Sequence, residues 1–202
     1  MSSDLTSIQA KFEEIYERKL WGGGSGPGSR YNNNLDYMNF LANFIMWNSI
    51  QSVVDFGCGD WQFSQYLNWQ DIKYHGFDVA KNVVNTNTAL YGRPNISFTR
   101  LEDSTQLPPA DLLICKDVFQ HLPNAAISDY MRQFKKLYRS ILITNDDFPA
   151  GGMNMDIPPG AGRPLRLDLP PFNEAGSVVF SWIIISEGPP ARKRSFLVMG
   201  CN

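Results

Sequence analysis

Apolar spacing changes several times along the 202-residue chain, and each change predicts an element. Ile8, Phe12, Ile15 and Tyr16 recur at helical spacing with charges between them, which predicts a helix from Ile8 to Leu20. It ends at Trp21 and the run Gly22-Gly23-Gly24-Ser25-Gly26-Pro27-Gly28-Ser29-Arg30, too costly in backbone entropy to be regular structure. Leu35, Met38, Leu41 and Ile45 then share one face of a helix over Leu35 to Trp47. Strand-like runs follow at Val53 to Phe56, Asp71 to Phe77, Ile96 to Leu101, Asp111 to Lys116 and Ile141 to Thr144. Ala80 to Tyr91 reads as a helix that Gly92-Arg93-Pro94 stops. Ile127, Tyr130, Met131, Phe134, Leu137 and Tyr138 stripe another, which Asn124 can cap. Phe148 to Asn173 is proline-rich and aperiodic, and a loop of that length usually serves as a lid or a substrate surface. Ser177 to Ser186 and Ser195 to Cys201 read as a closing pair of strands around Gly188-Pro189-Pro190.

The first strand carries the clearest chemistry. Asp55-Phe56-Gly57-Cys58-Gly59-Asp60-Trp61 takes a strand into a glycine turn, and the short amphipathic run Gln62 to Leu67 follows. This is the opening β–loop–α of a Rossmann-like sheet, where backbone without side chains lets a nucleotide-sized ligand approach. The second strand ends in Asp78, nineteen positions after Gly59, where a carboxylate can accept two hydrogen bonds from a ribose diol. A dinucleotide site would need a third glycine where Gln62 stands, and no Gly-Lys-Ser/Thr exists for a P-loop. On the glycines alone, a plain strand–helix turn explains the motif as well as a nucleoside site does.

Bulk properties narrow the class without deciding it. Hydrophobic content of 43%, charged content of 19% and a net charge of −2 describe a globular chain with no pull toward nucleic acid or anionic membrane. Cys58, Cys115 and Cys201 form no CxxC pair and read as small buried thiols of a reducing compartment. Met1 to Gln9 lacks a basic region leading into an apolar core, and no apolar run approaches membrane-spanning length. A cytoplasmic location is the expectation. Residues 1–202 are expected to form one domain, with 1–48 as a helical cap and Gly-rich loop.

The element order and these motifs resemble the class I S-adenosylmethionine (SAM)-dependent methyltransferases, from about Ser52 onward. The carrying positions are Asp55, Gly57 and Gly59 in the first turn, Asp78 after the second strand, Asp103 after the third, and Asp117-Val118-Phe119-Gln120-His121-Leu122 after the fourth. The hexapeptide looks like the Asp-Val-x-x-His-Leu element of methyltransferases acting on small molecules and sugars. The resemblance implies a seven-stranded, mostly parallel sheet with an antiparallel last strand and helices on both faces. It implies SAM as cofactor, with Asp78 on the ribose and Asp103 on the adenine amine, although Asp103 could equally cap a turn. Trp21, Cys58, Val79, Ser104 and Lys116 complete the expected cofactor set, and the Gly-rich loop offers backbone N–H groups and Arg30 to a carboxylate. One departure is the lack of a clear helix between the fifth strand and the closing pair.

The acceptor is expected to be a small-molecule or glycan hydroxyl. His121 is then the candidate general base and Asp117 its neighbour in the catalytic set, while His75 lies inside a strand and reads as structural. Asp117, Asn145 and Asp146 at two strand ends could instead hold Mg²⁺, but such carboxylates commonly occur without a metal, so no metal ligand is assigned. Arg163 and Arg166 could meet an anionic acceptor or stand as surface charges. Leu169-Pro170-Pro171-Phe172 resembles the signature of DNA adenine methyltransferases but sits far from the fourth strand, so nucleic acid is not the expected partner. A protein or peptide methyltransferase and a non-catalytic SAM-binding module are the alternatives.

Overall fold

The computed structural model describes residues 2–148, 151–184 and 190–200, with no side-chain description for 2–4. The expected turn at Gly188-Pro189 and Cys201 lie outside the described residues. The elements run α1 (Ser2–Glu17), α2 (Leu35–Trp47), β1 (Ser52–Phe56), β2 (Lys73–Asp78), α3 (Lys81–Tyr91), β3 (Ile96–Arg100), β4 (Ala110–Lys116), α4 (Asn124–Leu137), β5 (Tyr138–Asp146), β6 (Ser177–Ile184) and β7 (Ala191–Met199).

One seven-stranded sheet results, in the order β3-β2-β1-β4-β5-β7-β6. The first five strands pair in parallel, and β7 runs antiparallel to both β5 and β6. The central strands are apolar on both faces because both faces are covered. Ile127, Met131 and Phe134 of α4 bury one side together with Ile8 of α1 and Leu165 and Leu167 of the long loop. Leu41 and Ile45 of α2, Val84 of α3, Trp61 and Trp69 bury the other. The order reverses between β1 and β4, whose carboxyl ends open the crevice where such sheets bind ligands.

Several boundaries differ from the sequence expectation. α1 ends at Glu17, before Leu20, because Lys19 adopts a left-handed conformation and Leu20 N–H turns back to the Ile15 carbonyl. The expected helix over Gln62 to Leu67 is one 3₁₀ turn, Ser64–Tyr66. Trp61, left-handed and buried against Tyr74, Tyr91 and Phe98, pins the chain before a helix can grow. Asn124 opens α4 without capping it; its amide donates to the Asn154 carbonyl and accepts from Arg163.

Candidate active site

The β1 turn is built for close approach. Gly57 and Gly59 both have left-handed φ, +76° and +56°, and a Cβ at Gly57 would overlap the Val118 side chain. The Gly57 and Cys58 N–H groups donate to the Phe77 carbonyl, tying the turn to the end of β2. Gly59 N–H donates to one oxygen of Asp78 at 3.0 Å, and Ala80 N–H donates to the other at 2.9 Å. Each oxygen keeps a lone pair for a further donor. Burial pushes the Asp78 carboxyl up to about 6 against these two hydrogen bonds.

The Gly-rich segment lies over this turn. Ser25 Oγ accepts from Asp60 N–H at 2.8 Å and bonds Tyr16 Oη at 2.7 Å, while Ser25 N–H donates to Asp60 Oδ2 at 3.1 Å. Lys116 Nζ donates to the Gly28 carbonyl at 2.8 Å. A Cβ at Gly24 would strike Asp60, so the fit between segment and turn depends on glycine there.

Beneath the segment is a cavity of about 640 Å³, counted to its open mouth. Of the sequence-predicted residues, Trp21, Gly57, Gly59, Asp78, Val79, Lys116 and Asp117 line it. Ile8, Tyr16, Ser25, Leu101 and Tyr130 line it as well and escaped the sequence reading: Ile8 and Tyr16 passed as helix stripe, and nothing marks Ser25.

The other expected residues sit elsewhere. Asp55 lies buried under the turn, accepting from Tyr74 Oη at 2.6 Å, with its carboxyl pushed up to about 6 by burial. Cys58 points back toward Gly76, and burial pushes its thiol up. Asp103 and Ser104 are exposed; Asp103 lines an adjoining groove that shares Ile8, Leu101 and Tyr130 with the main cavity. Arg30 is exposed on the outside of the Gly-rich segment, so the cation facing the cavity is Lys116.

A second pocket adjoins the first through Trp21, Ser25 and Asp117, and Gln120, His121, Asp146 and Lys193 also line it. Trp21 packs against His121 with ring centres 4.8 Å apart and planes tilted by 35°, and meets Phe12 edge-on. His121 Nδ1 lies 2.9 Å from the Ala161 carbonyl, an acceptor, which assigns the proton to Nδ1 and a lone pair to Nε2. The Gln120 amide approaches that lone pair at 3.3 Å and donates to Asp146 at 3.1 Å. Burial lowers the His121 pKa below its ordinary value.

Asp117 is a non-glycine residue with φ +59°, and its carboxylate is clamped between Lys116 at 2.5 Å and Lys193 at 2.6 Å. The two ammonium groups hold its carboxyl well below the usual carboxylate range despite burial, which favours the ionised form and makes Asp117 a poor base near neutrality. His75 packs on Phe77 and bonds Thr99 within the sheet, as a structural residue would.

The long loop departs furthest from expectation. No described residue between 151 and 176 lines either pocket, and Leu165 and Leu167 are core residues. Arg163 is not available to an acceptor: its guanidinium donates to the carbonyls of Met155, Phe119 and Leu122 and to Asn124 Oδ1. Arg166 pairs with Asp168. What the loop contributes is the Ala161 carbonyl that orients His121. Among the described residues, no group of three or more His, Cys, Asp or Glu side chains could hold a metal ion, and no helix is long and apolar enough to cross a membrane.

No family model matches the chain. No curated protein matches it either. Solved structures do. Magnesium protoporphyrin IX methyltransferase from Synechocystis, solved with bound S-adenosylhomocysteine (SAH), superposes with a TM-score of 0.64 at 15% identity, over 96% of this chain and 99% of its own. A SAM-dependent methyltransferase from Anabaena variabilis gives 0.64 at 12% identity, over 96% and 95%. The 16S rRNA methylase ArmA gives 0.55 at 16% identity, over 95% and 97%. At such identities the likeness is one of fold: this chain has the Rossmann-like fold of the class I SAM-dependent methyltransferases. A porphyrin methyltransferase and an RNA methylase share it, so the fold does not select an acceptor.

Proposed function

We propose that this protein is a SAM-dependent methyltransferase acting on a hydroxyl of a small polar molecule or sugar. The observation that carries the reading is the junction of two pockets at Trp21, one lined by the glycine turn and Asp78, the other by His121. The residues of the first fit the cofactor. Gly57 and Gly59 leave room that a Cβ would fill, and Asp78 has lone pairs for a ribose diol. Ile8, Val79, Leu101 and Tyr130 offer an apolar slot to a flat base, with Asp103 in the adjoining groove, and Lys116 offers an ammonium to a carboxylate. Bound there, SAM supplies an electrophilic methyl group on a positively charged sulfur.

The second pocket handles the acceptor. Trp21 presents a ring face of the kind that packs against a sugar or an aromatic ring. Asp117, kept ionised by its two lysine partners, accepts a hydrogen bond from a neighbouring hydroxyl and orients it. His121 is neutral at pH 7, since burial depresses its pKa, and takes the proton of the reacting hydroxyl at Nε2 once Gln120 gives way. Trp21 and the Gly-rich segment keep water from the junction.

The test is a screen for transfer of labelled methyl from SAM to polyols, sugars, phenols and peptides, run with wild type and His121→Ala. Hydroxyl acceptors should be labelled by wild type, and His121→Ala should lose about 10²–10⁴-fold in kcat while still binding SAH. Labelling of peptide nitrogen alone, or full turnover by His121→Ala, would overturn the acceptor assignment or the base assignment respectively.

A further inference from the structure

Lys193 takes no part in the reading so far, yet it occupies the most constrained position in the acceptor pocket. Its Nζ lies 2.6 Å from Asp117 Oδ1 and 2.7 Å from Asp146 Oδ1. These carboxylates come from different strands: Asp117 follows β4, and Asp146 closes β5. The antiparallel register pairs Asp146 directly with Lys193, so the β7 backbone fixes where the ammonium sits. The side chain is almost wholly buried, at 4% exposure, which forbids the solvent alternatives open to a surface lysine. Gly28 of the Gly-rich segment closes over it, since a Cβ there would lie 2.6 Å from Asp117 and 3.5 Å from Lys193 Nζ.

Two carboxylate oxygens from separate strand ends that converge on one point open to a ligand pocket can hold a Mg²⁺ or Mn²⁺ ion whose other ligands are water or substrate. Here a lysine fills that point. With Lys116 on the other oxygen of Asp117, two ammonium groups balance two carboxylates.

We propose that the Lys193 ammonium is a built-in substitute for a divalent cation, holding Asp117 and Asp146 together and facing the acceptor oxygen with fixed positive charge. The inference rests on the methyltransferase reading above and assigns Lys193 its electrostatic part. Asp117 Oδ1 takes one Nζ proton as a hydrogen bond, whereas Asp146 Oδ1 meets the ammonium as an ion pair without an aligned hydrogen bond, so Nζ keeps donor capacity for an oxygen in the pocket that Lys193 lines. As His121 removes the hydroxyl proton, that contact stabilises the negative charge developing on the acceptor oxygen. A lysine brings one positive charge where a metal brings two, but it needs no loading and cannot dissociate.

Removing the lysine should therefore uncover a metal site. Lys193→Met keeps most of the apolar stem and deletes the charge. Titrated with Mn²⁺ and followed by loss of the free-ion paramagnetic resonance signal, the folded variant should take up about one ion per chain, at least about tenfold more tightly than wild type. Adding Asp146→Asn should abolish the gain. Turnover by Lys193→Met should fall, SAH binding measured by calorimetry should persist, and Mn²⁺ should restore part of the turnover. A folded Lys193→Met that takes up no more Mn²⁺ than wild type would overturn the proposal. So would wild-type uptake of Mn²⁺ that Asp146→Asn removes, a measurement that needs no folded Lys193 variant. If SAH binds neither protein while the Mn²⁺ result holds, the cofactor reading fails and the lysine assignment survives.

Discussion

The two pockets that meet at Trp21 are built in opposite ways. The one under the glycine turn is centred on two adjacent strand ends, with left-handed backbone at Gly57 and Gly59 and one carboxylate at Asp78, and is walled by apolar side chains of α1, Leu101 and Tyr130. Its neighbour is assembled from charged side chains on three distant segments, with Lys193 between Asp117 and Asp146, Lys116 on the other oxygen of Asp117, and His121 held by the carbonyl of Ala161. The first grips by shape and the second by electrostatics, so damage to them should differ in kind.

Asp117→Ala should show this most strongly. It leaves Lys116 and Lys193 buried beside each other without their shared partner, and breaking a buried pair in this way costs about 3–5 kcal/mol. A lower urea midpoint at unchanged slope is expected; unchanged stability would contradict the clamp. Next comes Gly57→Ala, which combines a left-handed φ with a clash against Val118 and should cost about 1–3 kcal/mol. Its distinguishing mark is weaker SAH binding, by about tenfold or more, from a change that removes no polar group.

Proton linkage sharpens the contrast. Burial pushes the carboxyls of Asp55 and Asp78 up to about 6, against about 3.9 for an unfolded aspartate. The folded chain therefore binds these protons more tightly, and the stability they contribute is present below about pH 4 and lost as pH rises through about 6. SAH affinity should move the other way, because only ionised Asp78 accepts from both ribose hydroxyls. The stability of wild type minus that of Asp55→Asn should fall across this window, while the SAH dissociation constant of wild type falls too. Parallel loss of stability and affinity would contradict the role given to Asp78.

Trp21→Ala is the mildest test. One aromatic contact is worth about 0.5–1.5 kcal/mol, so roughly two- to tenfold in acceptor KM is expected from the ring that lines the pocket, with a smaller effect on SAH.

The same contrast explains what could be read from residue order. The sheet and the glycine turn were legible because strand runs, the Gly-x-Gly spacing and an acid at the next strand end are short-range patterns. Lys193 was not, since it falls before the strand expected from Ser195, and only the β5–β7 register places it opposite Asp146. Arg163 is neither the ligand nor the surface charge that residue order allows: four acceptors from the chain itself hold its buried guanidinium. Asp55 lies in the motif yet beneath the cavity, a distinction of side-chain direction that spacing cannot carry.

Calorimetric titration of SAH into wild type and Asp78→Ala tests the central claim most directly. One molecule bound per chain by wild type, with affinity lowered at least about tenfold in a folded Asp78→Ala, is the expected result. No heat with wild type, or equal affinity in both proteins, would contradict the account.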